Sequence, residues 1–163
     1  PPRSTLFPYT TLFRSDYLKA LSLRTGFSQV QKVGITRDAD EDPAGAAASV
    51  TKLIAEAGFP DSVTVTSMIL PDNLSAGALE NLFLRTISGK AIEACIEDYV
   101  ACAARALGRG HTTTANMAKA RIHTWLAAQE EPDLRLGIAA QKGLAEFDSP
   151  AFESLKLFLK GLE

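Results

Sequence analysis

Two apolar spacings alternate along the first half of this chain, and one of them takes over in the second half. Asp16 to Thr25 is expected to finish a helix, with Leu18 and Leu21 on its apolar face and Gly26 as the stop. Val30, Val33 and Ile35 then alternate with polar residues and predict a short buried strand, followed directly by an acidic cluster. Pro43 to Gly58 reads as an amphipathic helix: Val50, Leu53, Ile54 and Ala57 recur at helical spacing, Pro43 suits a first turn, and Gly58 suits the end. Val63 to Leu70 is rich in β-branched residues and predicts a second strand, closed by the turn signal Pro71-Asp72-Asn73.

Beyond the turn the pattern is helical. Leu79, Leu82, Phe83 and Ile87 form one face. Ile92, Cys95, Ile96, Tyr99, Ala103 and Leu107 form the next. Residues 107–114 read as a loop, with Thr113 or Thr114 as a helix cap, and Met117 to Ala128 as the helix that follows. Leu136 to Leu144 fits more than one state. Phe152 to Leu162 predicts a closing helix, with Phe152, Leu155, Phe158 and Leu159 inward. A strand–helix–strand unit followed by helices implies an α/β fold with a parallel-sheet core and a helical C-terminal extension covering about 88–163.

Residues 1–15, PPRSTLFPYTTLFRS, stand apart. They correspond codon for codon to a universal sequencing-adapter oligonucleotide translated in frame. The segment is therefore read as non-native, and 16–163 as a single, N-terminally truncated domain of the size that holds one core. TLFPYTTLF has β-favouring residues that could lie along a sheet edge, although Pro8 lacks one donor. The segment is expected not to join the core as a native strand would.

The whole chain carries a formal charge of −2, and setting aside Arg3 and Arg14 makes it more negative. That is not the global profile of a nucleic-acid coat or a polybasic membrane binder. No apolar run approaches the ~20 residues of a membrane span, so no membrane partner is expected. Cys95 and Cys102 stand seven apart in a helical pattern, about 10 Å along the axis, which is beyond disulfide reach. Reduced thiols on a buried helix face, and a cytoplasmic location, are expected. A zinc site from Cys95, Cys102, His111 and His123 matches none of the usual ligand spacings.

The candidate chemistry centres on Arg37-Asp38-Ala39-Asp40, at the carboxyl end of the first strand, where open α/β sheets bind ligands. Acids at i and i+2 project to one side if the backbone stays extended, and hard oxygen ligands suit Mg²⁺ or Mn²⁺. A solvated acidic loop, with Asp40 or Asp42 starting the helix after Pro43, fits the spacing equally well. An EF-hand loop from Asp38 fails, because Pro43 stands where glycine is needed and Ser49 where glutamate is needed. A haloacid-dehalogenase-type site is disfavoured by Asp42, and a DxD glycosyltransferase needs a larger chain. Glu80, in the early turns of its helix, either complements the helix dipole or supplies a third carboxylate. Asp72 either closes an Asx turn or does the same. Lys119 shares a helix face with His123 and is either an exposed lysine or a phosphate-stabilising cation.

Taken together, GITRDADEDP, PDNLSAGALENL, MAKARI and LGIAAQKGLAEFDSPAFESLKLFLKGL resemble an uncharacterised bacterial and archaeal Toprim-like family, related to the nuclease domains of OLD-type proteins. The resemblance covers nearly all of 16–163. It implies a Toprim-like sheet that lacks its first strand here. It also implies Mg²⁺ or Mn²⁺ held by Asp38 and Asp40, with Glu80 as the further metal acid and Lys119 as a catalytic cation. The family's glutamate, within an E-G-x-x-D stretch before the DxD, is not found in this chain. The implied parent is a metal-dependent nuclease acting on nucleic acid, in defence against foreign nucleic acid and beside an ABC-type ATPase, with this fragment inactive. The alternative is a non-catalytic Toprim-shaped binding or regulatory module.

Overall fold

The computed structural model describes residues 11–108, 110 and 113–163, with side chains from Asp16 onward. The order is α1 (Thr11–Ser22), β1 (Lys32–Asp38), α2 (Pro43–Ala57), β2 (Thr64–Leu70), α3 (Leu79–Ile87), α4 (Ala91–Leu107), α5 (Thr114–Ala127), α6 (Leu136–Gln141) and α7 (Glu153–Lys160). The chain is thus mixed α/β, with a parallel β1–β2 pair followed by helices. Of the segment read as adapter-derived, residues 11–15 open α1, and 1–10 lie outside the described residues, as does any strand pairing they make. Among the described residues no helix is long and apolar enough to cross a membrane.

The pleat divides the core in two. Ile69 and the half-buried Ile35 face α2, where they meet Ala46 and Val50 together with Ala39. Met68 and Leu70 point the other way, into the larger cluster built with Leu82, Phe83 and Ile87 of α3 and Ile122 and Trp125 of α5. Phe152 completes that side, its ring 5.3 Å from that of Phe83 in an edge-on arrangement. α7 crosses β1 at Gly34: a β-carbon there would collide with Leu162 and Phe158. The glycine in the strand is a point of close approach.

Several faces differ from the spacing. Val33 and Ile35 are half-buried rather than buried, because among the described residues β1 has a neighbouring strand on one side only. Leu79 is exposed, since as the first residue of α3 it precedes the turn that packs. On α4 the core takes Ile96 and Val100, while Cys95, Cys102, Tyr99 and Leu107 are exposed. Tyr99, Ala103 and Leu107 instead line an open groove of about 900 Å³ against Ala120, His123 and Ala127 of α5. The apolar arc of α4 is wider than the contact its neighbours make with it. Leu159 is also exposed, because the short α7 buries only the stripe carrying Leu155 and Phe158. The stretch that fitted more than one state forms α6 and ends in a left-handed turn at Gly143.

The turn after β2 is a tight polar knot. Asn73, at φ 67°, accepts from the Ile69 N–H through its Oδ1 at 2.7 Å and donates its own N–H to Ile69 O at 2.7 Å. Asp72 accepts from the N–H groups of Leu74 (3.0 Å) and Ser75 (2.7 Å), from the Ser75 hydroxyl (2.9 Å) and from Arg85 (2.7 Å). Its carboxylate is therefore committed to the turn and to α3.

Partial burial pushes the Asp72 carboxyl up. The Ser75 N–H, the Arg85 guanidinium, the Leu74 N–H and the Ser75 hydroxyl outweigh it and hold the group at about 2, against an ordinary 3.8. A depressed carboxylate stabilises fully above its unfolded value and loses that contribution as pH falls through the folded one. Asp72→Asn should cost on the order of 1–2 kcal/mol at neutral pH. The gap between wild type and variant should close as pH falls from 3.8 toward about 2, read from urea midpoints across that range. A pH-independent gap would show that the carboxylate charge is not what holds the turn.

Candidate functional site

β1 ends in an acidic turn, and three of its carboxylates each reach a different helix. Asp42 is the N-cap of α2: its Oδ1 accepts from the Gly45 N–H at 2.9 Å, and Pro43 at the first position has no N–H to satisfy. A β-carbon at Gly45 would strike the Asp42 carboxylate, so a side chain there would have to displace the cap. Asp38 Oδ1 accepts from the Leu79 N–H at 3.1 Å, at the start of α3. Glu41 accepts from the Thr114 N–H at 2.5 Å and the Thr114 hydroxyl at 3.0 Å, at the start of α5. An anionic group at a helix N-terminus satisfies orphan N–H groups and complements the dipole. Thr113, the expected cap, also accepts from the Asn116 N–H at 3.2 Å.

Asp40 behaves differently. Its backbone turns into the left-handed region, φ 52°, so the extended geometry that would align it with Asp38 does not persist. Its N–H and C=O pair with Gly77 O and N at 2.8 and 2.7 Å, which ties the acidic turn to the loop leading into α3. Gly77, at φ 137°, leaves room for Asn81, whose Oδ1 accepts from the Ala78 N–H at 2.8 Å. Asp40 is exposed, and its carboxylate has no hydrogen-bond partner among the described residues.

Asp38 and Asp40 line one groove of about 430 Å³ along β1, together with Ile35, Thr36 and Arg37, and with Tyr17 and Leu18 of α1 as the facing wall. Arg37 donates to the Ser49 hydroxyl at 2.6 Å, so its cation is directed toward α2. Glu80 follows Leu79 and is half-buried at the second position of α3, one residue from the Asp38 contact. Lys119 is exposed on α5, as is His123. No hydrogen bond or ion pair joins Lys119 to the acids among the described residues. The structure thus brings Asp38 and Asp40 to one groove, with Glu80 one residue beyond the Leu79 contact, and bonds Lys119 to neither acid among the described residues. Among the described residues no three His, Cys, Asp or Glu side chains are gathered as a metal-ligand set. Of the zinc candidates, Cys95 and Cys102 are exposed, and His111 lies outside the described residues.

Spacing alone did not reveal Glu41 as a structural residue. Its partner Thr114 is 73 positions away, and only the tertiary fold brings them together. A separate polar cleft lies between α3, α4 and α5. There Arg121 faces Glu97, with Nε 2.6 Å from Oε1; the Nε hydrogen is not aimed along that line, and the Nη2–Oε2 contact at 2.8 Å makes the hydrogen bond.

The capping assignment has a direct test. Asp38→Asn keeps an oxygen acceptor for the Leu79 N–H, and Asp38→Ala removes it. The alanine variant should lose about 1 kcal/mol more than the asparagine variant by chemical denaturation. Equal losses would mean that the Leu79 contact contributes nothing.

Residues 13–163 match a protein family described as Protein of unknown function (DUF3226). Comparison with curated proteins gives no match, and neither does comparison with solved structures. The family match spans the acidic turn, both strands and all the helices from α2 onward, and on it the chain belongs to the DUF3226 family.

Proposed function

We propose that the carboxyl end of β1 is a divalent-cation site for phosphodiester chemistry, and that the intact parent is a Mg²⁺- or Mn²⁺-dependent nuclease of the Toprim type. The observation that carries this reading is that Asp38 and Asp40 line the same groove at the carboxyl end of a parallel strand. That is where open α/β sheets place their ligands. The donor chemistry fits a hard cation in part. Asp38 commits Oδ1 to the Leu79 N–H and keeps Oδ2, and Asp40 offers an exposed carboxylate. Mg²⁺ commonly takes one or two protein carboxylates and keeps several waters. A bound cation would supply Lewis acidity toward a phosphoryl oxygen and lower the pKa of a bound water.

The residues of this chain have separate tasks in that reading. Asp38 and Asp40 hold the cation, and the Leu79 contact fixes the Asp38 carboxyl in place. Glu80 assists from the adjoining helix, and Lys119 stabilises phosphate charge. Nucleic acid is the substrate and an ABC-type ATPase the partner, both by resemblance. A cytoplasmic location belongs to the same proposal. With two carboxylates and no third acid assembled among the described residues, the chain alone should bind Mg²⁺ weakly and show no cleavage above background.

A second reading rests on a specific observation. Asp38, Glu41 and Asp42 are already engaged as helix caps, which is a sufficient reason for an acidic turn in a non-catalytic binding module. Titration calorimetry with Mn²⁺ and Mg²⁺ separates the two. Weak, saturable binding that disappears in Asp40→Asn, with the thermal midpoint unchanged, supports the cation site. Binding unaffected by that substitution removes Asp40 from the site. On a longer parent, Asp40→Asn should reduce Mg²⁺-dependent cleavage by about 10²-fold or more. Cleavage that persists at the wild-type rate would overturn the nuclease assignment of these acids.

A further inference from the structure

α4 is apolar on two sides, and the core of its own chain uses one of them. Ile96 and Val100 are buried there, in the cluster that holds Met68 and Leu70 of the sheet. On the opposite side, turned away from the sheet, Cys95, Tyr99, Cys102 and Ala106 are exposed, Tyr99 by 62%. They recur at the alternating four- and three-residue steps of the a and d positions in a helix–helix seam. With Tyr99 at a, Asp98 and Arg105 both fall at g, on one flank of that seam. Both are exposed, and among the described residues neither side chain makes a hydrogen bond or an ion pair; the α4 acid that pairs with Arg121 is Glu97. Along the other flank the groove of about 900 Å³ continues the apolar surface through Ala103, Leu107, Ala120 and Ala127.

The charges on the flank say what fits it. In a parallel helix pair a g position faces e′, and here e is Ala103 and the buried Ile96, which offer no counter-charge. In an antiparallel pair about a two-fold axis each flank meets its own copy, so Asp98 and Arg105 face Arg105′ and Asp98′. We infer that the outer face of α4 is a self-pairing surface: two copies of this chain pack α4 antiparallel to α4′ about a two-fold axis level with the 100–101 peptide. In that register the large Tyr99 meets the small Cys102′, and Cys95 meets Ala106′, so bulk on one helix fills space on the other. Asp98 and Arg105′ then lie about 3 Å apart along the axis, within reach of their side chains, and this occurs twice by symmetry. The like-charged pairs are farther apart, about 7.5 Å for Asp98 and about 13.5 Å for Arg105. The arrangement is isologous and closed, and it does not depend on the function proposed above.

Sedimentation equilibrium of the full chain under reducing conditions tests this. The wild type should dimerise reversibly. Asp98→Lys sets two cations against each other at both ends of the pair and should weaken the dimer at least about tenfold, most at low salt, with circular dichroism preserved. Arg105→Glu should do the same, and the two substitutions together should restore the dimer, because the exchanged charges again face opposite partners. The cysteines check the register independently. Helix axes about 8 Å apart bring the two Cys102 Cα atoms to about 6 Å, within disulfide reach, whereas the two Cys95 residues stand about 16 Å apart along the axis. On oxidation the wild type and Cys95→Ser should therefore form a disulfide-linked dimer, and Cys102→Ser should not. A full chain that stays monomeric overturns the inference. So does a dimer indifferent to both single charge reversals, or one that links through Cys95 or not at all.

Discussion

Three helices begin on carboxylates of one five-residue stretch, and the packing of the molecule follows from that. Asp42 holds the start of α2, Asp38 that of α3 and Glu41 that of α5. Each contact joins a negative group to the positive end of a helix and gives a partner to an N–H that the helix itself leaves unsatisfied. Because β1 fixes where the stretch starts, it also fixes where α3 and α5 enter the larger core beside Met68 and Leu70. The Asp40–Gly77 bridge and the Ala39–Leu70 hydrogen bond hold the same turn to the loop before α3 and to the end of β2.

That economy limits the chemistry. A carboxylate oxygen that accepts from a helix N–H is withdrawn from other work, and in this turn Asp40 is the acid without such a partner among the described residues. In the proposed site a cation would be held by Asp40 together with the second oxygen of Asp38, beside a helix start whose dipole opposes positive charge. The same geometry that positions the candidate ligands therefore weakens them. The Asp72 knot is a parallel case, in which four donors leave that carboxylate ionised and wholly committed to its turn.

Among the described residues the sheet is covered on its two faces and not along the outer edge of β1. α2 packs on one face, α7 reaches the other through the space left by Gly34, and among the described residues the outer edge of β1 borders a groove walled by α1 and α2. A strand in that position keeps half of its backbone groups directed outward, and they need water or a partner. The α4–α5 groove is a different kind of opening. It is lined by side chains such as Tyr99 and Leu107 rather than by backbone, so it offers contact area without directional hydrogen bonds.

The sequence by itself determined the local elements: two strands with a helix between them, a Pro-Asp-Asn turn, and helices thereafter. Pro43, Gly58 and Thr113 mark boundaries through backbone constraints that act within a few residues. It also placed Asp38 and Asp40 at the end of β1. It did not determine which side of α4 is buried, because an apolar arc running from Cys95 to Leu107 is compatible with more than one rotation, and only contact with Ile122 and Trp125 selects Ile96 and Val100. Nor did it determine that Asp38 and Glu41 are caps, since their partners lie 41 and 73 residues away. Periodicity records how a residue relates to its near neighbours in the chain. The partner of a carboxylate is set by where distant helices begin in space, and that is decided only when the core has formed.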